Sequence, residues 1–165
     1  MFTSAVMAFV MLGSGQQERA TEQASARTEI TAAYAAWGKA RLAYDNAAYE
    51  KMLAPSFYAQ LPGQKVDRAE FMKMVGAKNP QALLTRFDSQ IITLTKQADD
   101  WVAVITEKLE FAVKLPGGKE SKVYSVWVTR DGWHKTGNAW QVTFTEAIGS
   151  EQWRDTVPPI PGWKS

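Results

Sequence analysis

The spacing of apolar side chains changes once along this chain, from a helical period to a strand period. Between residues 28 and 44, Ile30, Ala33, Tyr34, Trp37, Ala40, Arg41 and Tyr44 recur at intervals of three and four, which is one face of an α-helix. Thr28 is a suitable N-cap, and Glu29 follows it where the helix dipole favours an anion. Asp45-Asn46 interrupts the pattern and caps a second, short helix with Tyr49, Met52 and Leu53 on its buried side. Ala54-Pro55 ends that helix, because the residue before a proline is pushed out of the helical region. SFYAQLPGQKV reads as two short strands about a turn at Pro62-Gly63. Asp67 to Glu70 has the form of a capping box and opens a helix carrying Phe71, Met74 and Val75, with Gly76 as its stop. From Leu84 onward the period is two. RFDSQIITLTKQ, WVAVITEKLEFAVKL, ESKVYSVWVTRDGWHK and AWQVTFTEAI are strands separated by turns at Asp99-Asp100, Pro116-Gly117-Gly118 and Thr136-Gly137-Asn138. Consecutive hairpins make an antiparallel meander. Helices first and strands second indicate an α+β fold, with the helices packed on one face of the sheet.

The ends read differently from the middle. An apolar run from Phe2 to Leu12 is too short to span a bilayer, which takes about 20 residues as a helix. It has the length of a signal-peptide apolar region, with Gly13-Ser14-Gly15 as a small-residue cleavage site, although no Lys or Arg precedes it. If the run is a signal peptide, export to the periplasm or beyond is expected; otherwise the chain is cytoplasmic. GQQERATEQASAR is polar and short of core residues, so residues 1–25 are set aside as signal peptide and linker. The folded domain is expected over 26–148, and residues 149–165 form a Pro-rich tail in which Trp153, Ile160 and Trp163 are the anchors on offer.

Composition narrows the chemistry. The 165 residues suit one domain. Nineteen basic residues are spread along a chain of formal charge +2, so no basic stripe argues for nucleic acid. The absence of cysteine excludes disulfides, thiolate catalysis and cysteine-ligated zinc, and a single histidine excludes a multi-histidine metal centre within one chain. No cofactor and no resident metal are expected; a carboxylate-only site for a hard cation stays open, although the sequence has no Asp-rich loop of the EF-hand kind. Seven Trp, seven Phe and five Tyr supply a core with aromatics to spare for a pocket.

The order of motifs resembles a known family. YAAWGKARLAYDNAAYEKMLAPSFYAQLPGQKVDRAEFMKM is similar to the first half of the SnoaL-like group of the nuclear transport factor 2-like superfamily, closest to its domain-of-unknown-function subgroup. Asp45, Phe57, Gly63 and Asp67 stand at the family's positions, DDWVAVITEKLEF resembles its next strand, and Asp131, Trp133, Gly137 and Trp140 resemble its closing hairpin. The resemblance covers about residues 28 to 148. It implies a cone-shaped α+β barrel, with N-terminal helices packed on a curved antiparallel sheet, a cavity between them, and a homodimer formed through the sheet. It implies no particular chemistry, since one scaffold hosts many functions.

The lone histidine follows an aspartate by three residues, in DGWHKTGNAW. Alternation along a strand puts Asp131 with Trp127, Thr129 and Trp133, and His134 with Tyr124, Val126 and Val128, so the two face opposite ways unless a bulge at Gly132 resets the register. The resemblance has the matching Asp pointing into the cavity. An apolar site there would raise the proton affinity of Asp131 and make it a usable base, with Tyr34 or Tyr58 as donor to a developing oxyanion. The alternative for Asp131 is a structural acceptor. Arg41 on the apolar stripe either snorkels to water or faces the pocket, and Glu107, among Ile105, Leu109 and Phe111, is a second cavity acid or a partner for Arg41. Tyr34, Trp37, Arg41, Tyr58, Glu107, Trp127 and Trp133 are the candidate ligand-binding set, with Asp131 the candidate catalytic residue. Three functions stay open: a protein binding a small apolar or amphipathic molecule, a cofactor-independent isomerase, cyclase or dehydratase-like enzyme, and a dimerisation or interaction module.

Overall fold

The computed structural model describes residues 4–159, with side chains from residue 15 onward. The elements are α1 (Ser4–Ala43), α2 (Asn46–Lys51), β1 (Leu53–Leu61), β2 (Gln64–Asp67), α3 (Arg68–Gly76), β3 (Ala82–Gln97), β4 (Asp100–Lys114), β5 (Glu120–Thr136) and β6 (Ala139–Arg154). The six strands form one sheet in the order β2-β1-β6-β5-β4-β3, and the helices pack on one face of it. This is the α+β arrangement expected from the order of periods. The sheet is mixed rather than purely antiparallel. β1 runs parallel to β6, with Tyr58 opposite Phe144 and Ala59 opposite Thr145, while every other pair is antiparallel. The meander leaves the outer edge of β6 free, and the β1–β2 hairpin covers it from the other end of the chain.

Bulges curve the sheet. The register shifts leave Thr85 and Ile92 as extra residues on β3, and Thr143 and Ile148 as extra residues on β6. An extra residue bends its strand and increases the local twist. The resulting concave face carries Phe57, Ala59, Ile105, Leu109, Trp133 and Val142, and it packs against Ile30, Tyr34, Trp37 and Ala40 of α1 in one core. The caps read from the sequence are in place. Asp45 accepts from the Ala48 amide at 3.0 Å and starts α2; Asp67 accepts from the Glu70 amide at 2.9 Å and starts α3.

Both chain ends depart from expectation. Thr28 is not an N-cap: α1 runs straight through it, and its hydroxyl donates back to the Ala24 carbonyl at 3.0 Å. The expected linker is helix docked on the last strand of the sheet. Ala26 is buried, Gln23 donates to the Leu94 carbonyl and Arg27 to the Ile91 carbonyl, each at 2.8 Å, and Glu22 pairs with Lys96. An edge strand presents unpaired backbone groups, and here polar helix side chains satisfy two of them. At the other end Gly149 does not close the domain. β6 continues to Arg154, pairing Trp153 with Tyr124, because the long β5 offers it a partner. Trp153 and Val157 pack on Tyr124 and Val126 of the convex face, and Asp155 accepts from the Lys122 amide and the Ser121 hydroxyl. The side chains of Phe2 to Leu12, and Ile160 and Trp163, lie outside the described residues. Among the described residues no helix is long and apolar enough to cross a membrane.

Candidate functional site

The aromatic supply on α1 meets β5 in a buried hydrogen-bonded chain. The Trp133 indole N–H donates to the Tyr34 hydroxyl at 2.9 Å, and that hydroxyl donates to Asp131 Oδ2 at 2.7 Å. The Thr145 hydroxyl of β6 donates to the other carboxylate oxygen, Oδ1. Tyr34 and Trp133 cross edge to face, with centroids 4.8 Å apart. Asp131 is only 2% exposed, and burial raises its pKa from 3.8 to about 6, against the opposing effect of the Thr145, Tyr34 and Thr129 hydroxyls. Both oxygens are therefore engaged by the protein itself. Tyr34 is correspondingly pushed well above its ordinary pKa, by burial first and then by the Asp131 charge.

Next to this chain lies a cavity of about 140 Å³ between the helices and the concave sheet. α1 supplies Trp37 and Arg41, one helical turn apart on the same face. α2 supplies Tyr49, α3 supplies Phe71 and Val75, and β1 closes with Leu61. The strands add Glu107 and Leu109 from β4, Trp127 and Thr129 from β5, and Thr145 and Ala147 from β6. Trp37 and Tyr49 meet edge to face at 4.8 Å. Among the buried polar atoms of the lining residues, Trp37 Nε1 has no hydrogen-bond partner; the Tyr49 and Thr129 hydroxyls stand near the Arg41 guanidinium and the Asp131 carboxylate without a well-formed hydrogen bond. The Arg41 guanidinium lies over the rings of Tyr49 (5.4 Å) and Phe87 (5.8 Å) and forms no ion pair among the described residues. Glu107 faces it across the cavity; burial, then the Asp131 charge, raise its pKa from 4.5 to about 7, with Arg41 pulling the other way. Burial also raises the Tyr49 hydroxyl. A larger groove between α1 and β3, lined by Lys39, Leu42 and Asp88 among others, contains none of these buried polar atoms.

The residues singled out in the sequence thus divide three ways. Trp37, Arg41, Glu107 and Trp127 line the cavity. Tyr34, Asp131 and Trp133 form the buried chain behind it. Tyr58 points to the opposite face of β1, where it stacks on Phe144, reaches Glu146 at 3.4 Å and carries Lys65 over its ring. Strand alternation decides this: Phe57 and Ala59 are buried inward, so Tyr58 between them turns out. Tyr49 and Thr129 were not among the expected site residues. Tyr49 is on the buried side of a short helix whose cap was legible, and Thr129 shares the Trp127 and Asp131 face, so period and parity contain the signal. The register shift at Gly132 exists, but the extra residue is Thr143 on β6 and the alternation of β5 is unbroken. His134 accordingly stands on the other side from Asp131, half exposed, and meets Asp100 at 2.5 Å. Among the described residues no group of three His, Asp or Glu is placed to hold a metal.

No family model and no curated protein matches the sequence. Solved structures do match. A protein of unknown function from Mycobacterium tuberculosis superposes with a TM-score of 0.59 at 14% identity, over 78% of this chain and 73% of its own. A conserved protein from Planctomyces limnophilus gives 0.61 at 10% identity, over 74% and 94%. An NTF2-like protein with a cystatin-like fold from Novosphingobium aromaticivorans gives 0.54 at 16% identity, over 81% and 85%. At these identities the likeness speaks to architecture, and with the cone of helices on a curved sheet it establishes that this chain has the nuclear transport factor 2-like fold.

Proposed function

We propose that this chain binds a small molecule in the cavity between Trp37, Tyr49 and Glu107. The observation that carries the reading is an aromatic-lined cavity that gathers Trp37, whose indole N–H has no partner, with Arg41 and Glu107, neither of which forms an ion pair among the described residues. A buried donor without a partner costs about 1–3 kcal/mol, and an occupant that brings an acceptor to the Trp37 indole N–H would offset that cost. An apolar wall with a few convergent polar groups is the usual composition of a ligand site. The test is a thermal-shift screen of small metabolites on the full chain, beside an Ala147→Phe variant that fills the cavity. Ligands that raise the melting temperature of the parent and not of a folded Ala147→Phe variant support the site. Equal stabilisation of both would move binding elsewhere.

A second reading, a cofactor-independent proton-transfer enzyme, is favoured by Glu107 rather than by Asp131. Glu107 faces the cavity with a pKa near neutrality and accepts no hydrogen bond among the described residues, whereas both Asp131 oxygens are taken. Loss of turnover in Glu107→Gln with retained ligand binding would support it. The interaction-module reading has less behind it: the exposed large apolar side chains Leu42, Met74, Ile92 and Ile148 belong to four different elements, and Trp153 and Val157 cover part of the convex face. Export remains a proposal resting on the apolar run Phe2 to Leu12; cleavage after Gly15 would leave Glu22, Gln23 and Arg27, which hold α1 on β3.

A further inference from the structure

The chemistry of the cavity narrows its occupant, granted that it is a binding site as proposed above. Size comes first. An apolar cavity of about 150 Å³ is filled by one benzene-sized molecule, and this one measures about 140 Å³. One six-membered ring with one small substituent fits within it. The wall offers flat apolar surface to such a ring from Trp37, Tyr49, Phe71 and Trp127.

The polar groups then fix the substituent. The Trp37 indole N–H is a donor only, and it is unpartnered. Arg41, one turn further along α1, is also a donor only and is permanently charged. Its guanidinium carbon lies 5.4 Å from the Tyr49 ring centroid and 5.8 Å from that of Phe87, and its N–H groups have no carboxylate partner among the described residues. The Tyr49 and Thr129 hydroxyls can donate or accept. Two donor-only groups a helical turn apart require acceptors, and an unpaired guanidinium in a partly buried site requires negative charge. We infer that the cavity takes a small monocyclic carboxylate, its ring against the aromatic wall and its carboxylate on the Arg41 guanidinium and the Trp37 indole N–H.

Glu107 makes this binding sensitive to pH. Arg41 and Tyr34 come toward it from α1, Tyr49 from α2 and Asp131 from β5; α3 brings Phe71 and Val75, β6 brings Thr145 and Ala147, and β1 brings Leu61. As an acid Glu107 donates to an incoming carboxylate; as a carboxylate it repels it. Its pKa of about 7 means that binding an anion takes up a proton and weakens as pH rises through neutrality.

The experiment is calorimetric titration of the full chain with benzoate, benzamide and benzamidine. Benzoate is expected to bind best at about pH 6 and about tenfold more weakly at about pH 8, as Glu107 ionises. Benzamide should bind weakly with little pH dependence, and benzamidine should not bind. Arg41→Gln should abolish the preference for benzoate over benzamide, and Glu107→Gln should make benzoate binding independent of pH, both with melting curves that show a folded protein. Preference for benzamidine, or an unchanged benzoate preference in Arg41→Gln, would overturn the inference while leaving the cavity a binding site. If none of the three probes binds, hits from the metabolite screen that Ala147→Phe loses would still sustain the cavity and overturn only the ligand class. No binding by any compound would remove both.

Discussion

Asp131 is held by two hydroxyls, and both its burial and its hydrogen bonds act on its proton. Burial wins, so its pKa rises from 3.8 to about 6. A carboxyl group with a raised native pKa keeps its proton longer when folded than when unfolded. Stability is therefore highest below the unfolded value and falls as pH rises from about 4 to about 6. The shift corresponds to about 3 kcal/mol lost above that window. Asp131→Asn keeps an acceptor for Tyr34 and offers the Thr145 hydroxyl a donor, so its melting temperature is expected to equal or exceed the parent's at about pH 7.5 and to vary less with pH. A large loss of stability at both acid and neutral pH, measured by thermal denaturation, would contradict this. Glu107→Gln should act in the same direction at a higher pH, stabilising more at about pH 8 than at about pH 5, because its native pKa is about 7. Gly132 makes a different point: a Cβ there would stand 2.4 Å from the Phe144 ring and 2.6 Å from the Thr143 hydroxyl. Gly132→Ala should cost about 1–3 kcal/mol by overpacking, read from chemical denaturation. Strand parity alone was enough to separate Asp131 from His134. It was not enough to say that Tyr34 and Thr145 would occupy Asp131, since those contacts join residues 97 and 14 positions away.

At the scale of elements, the helix caps at Asp45 and Asp67 and the strand hairpins were legible because each depends on neighbours in sequence. The first half of α1 was not. Its face toward β3 is polar, so no apolar stripe announces it, and its partners are carbonyls of an edge strand 64 and 71 residues later. The same reason hid the last turn of β6, whose residues 150–154 carry little alternation and pair only because β5 is long. Deleting residues 1–25 should therefore lower the melting temperature and speed amide exchange at residues 91–96, since Gln23 and Glu22 leave with the deleted segment. Unchanged exchange there would return the segment to a passive linker.

For the whole molecule, the motif order carried the cone of helices on a curved sheet, while the parallel β1–β6 pair was out of reach, because it closes the sheet between the two halves of the chain. That closure brings Leu61 of β1 to the same cavity as Ala147 of β6. The proposed site leaves the Trp37 indole N–H for a partner from outside the protein. Two buried tryptophans provide an internal comparison: the Trp133 indole N–H is bonded to Tyr34, and the Trp37 indole N–H to nothing. The most direct measurement is the pair of indole ¹⁵N–¹H resonances, assigned with Trp37→Phe and followed as benzoate or a screening hit is added. The Trp37 signal is expected to move downfield as its N–H gains an acceptor, with Trp133 nearly still. Saturating ligand that leaves Trp37 unmoved would contradict the proposed site.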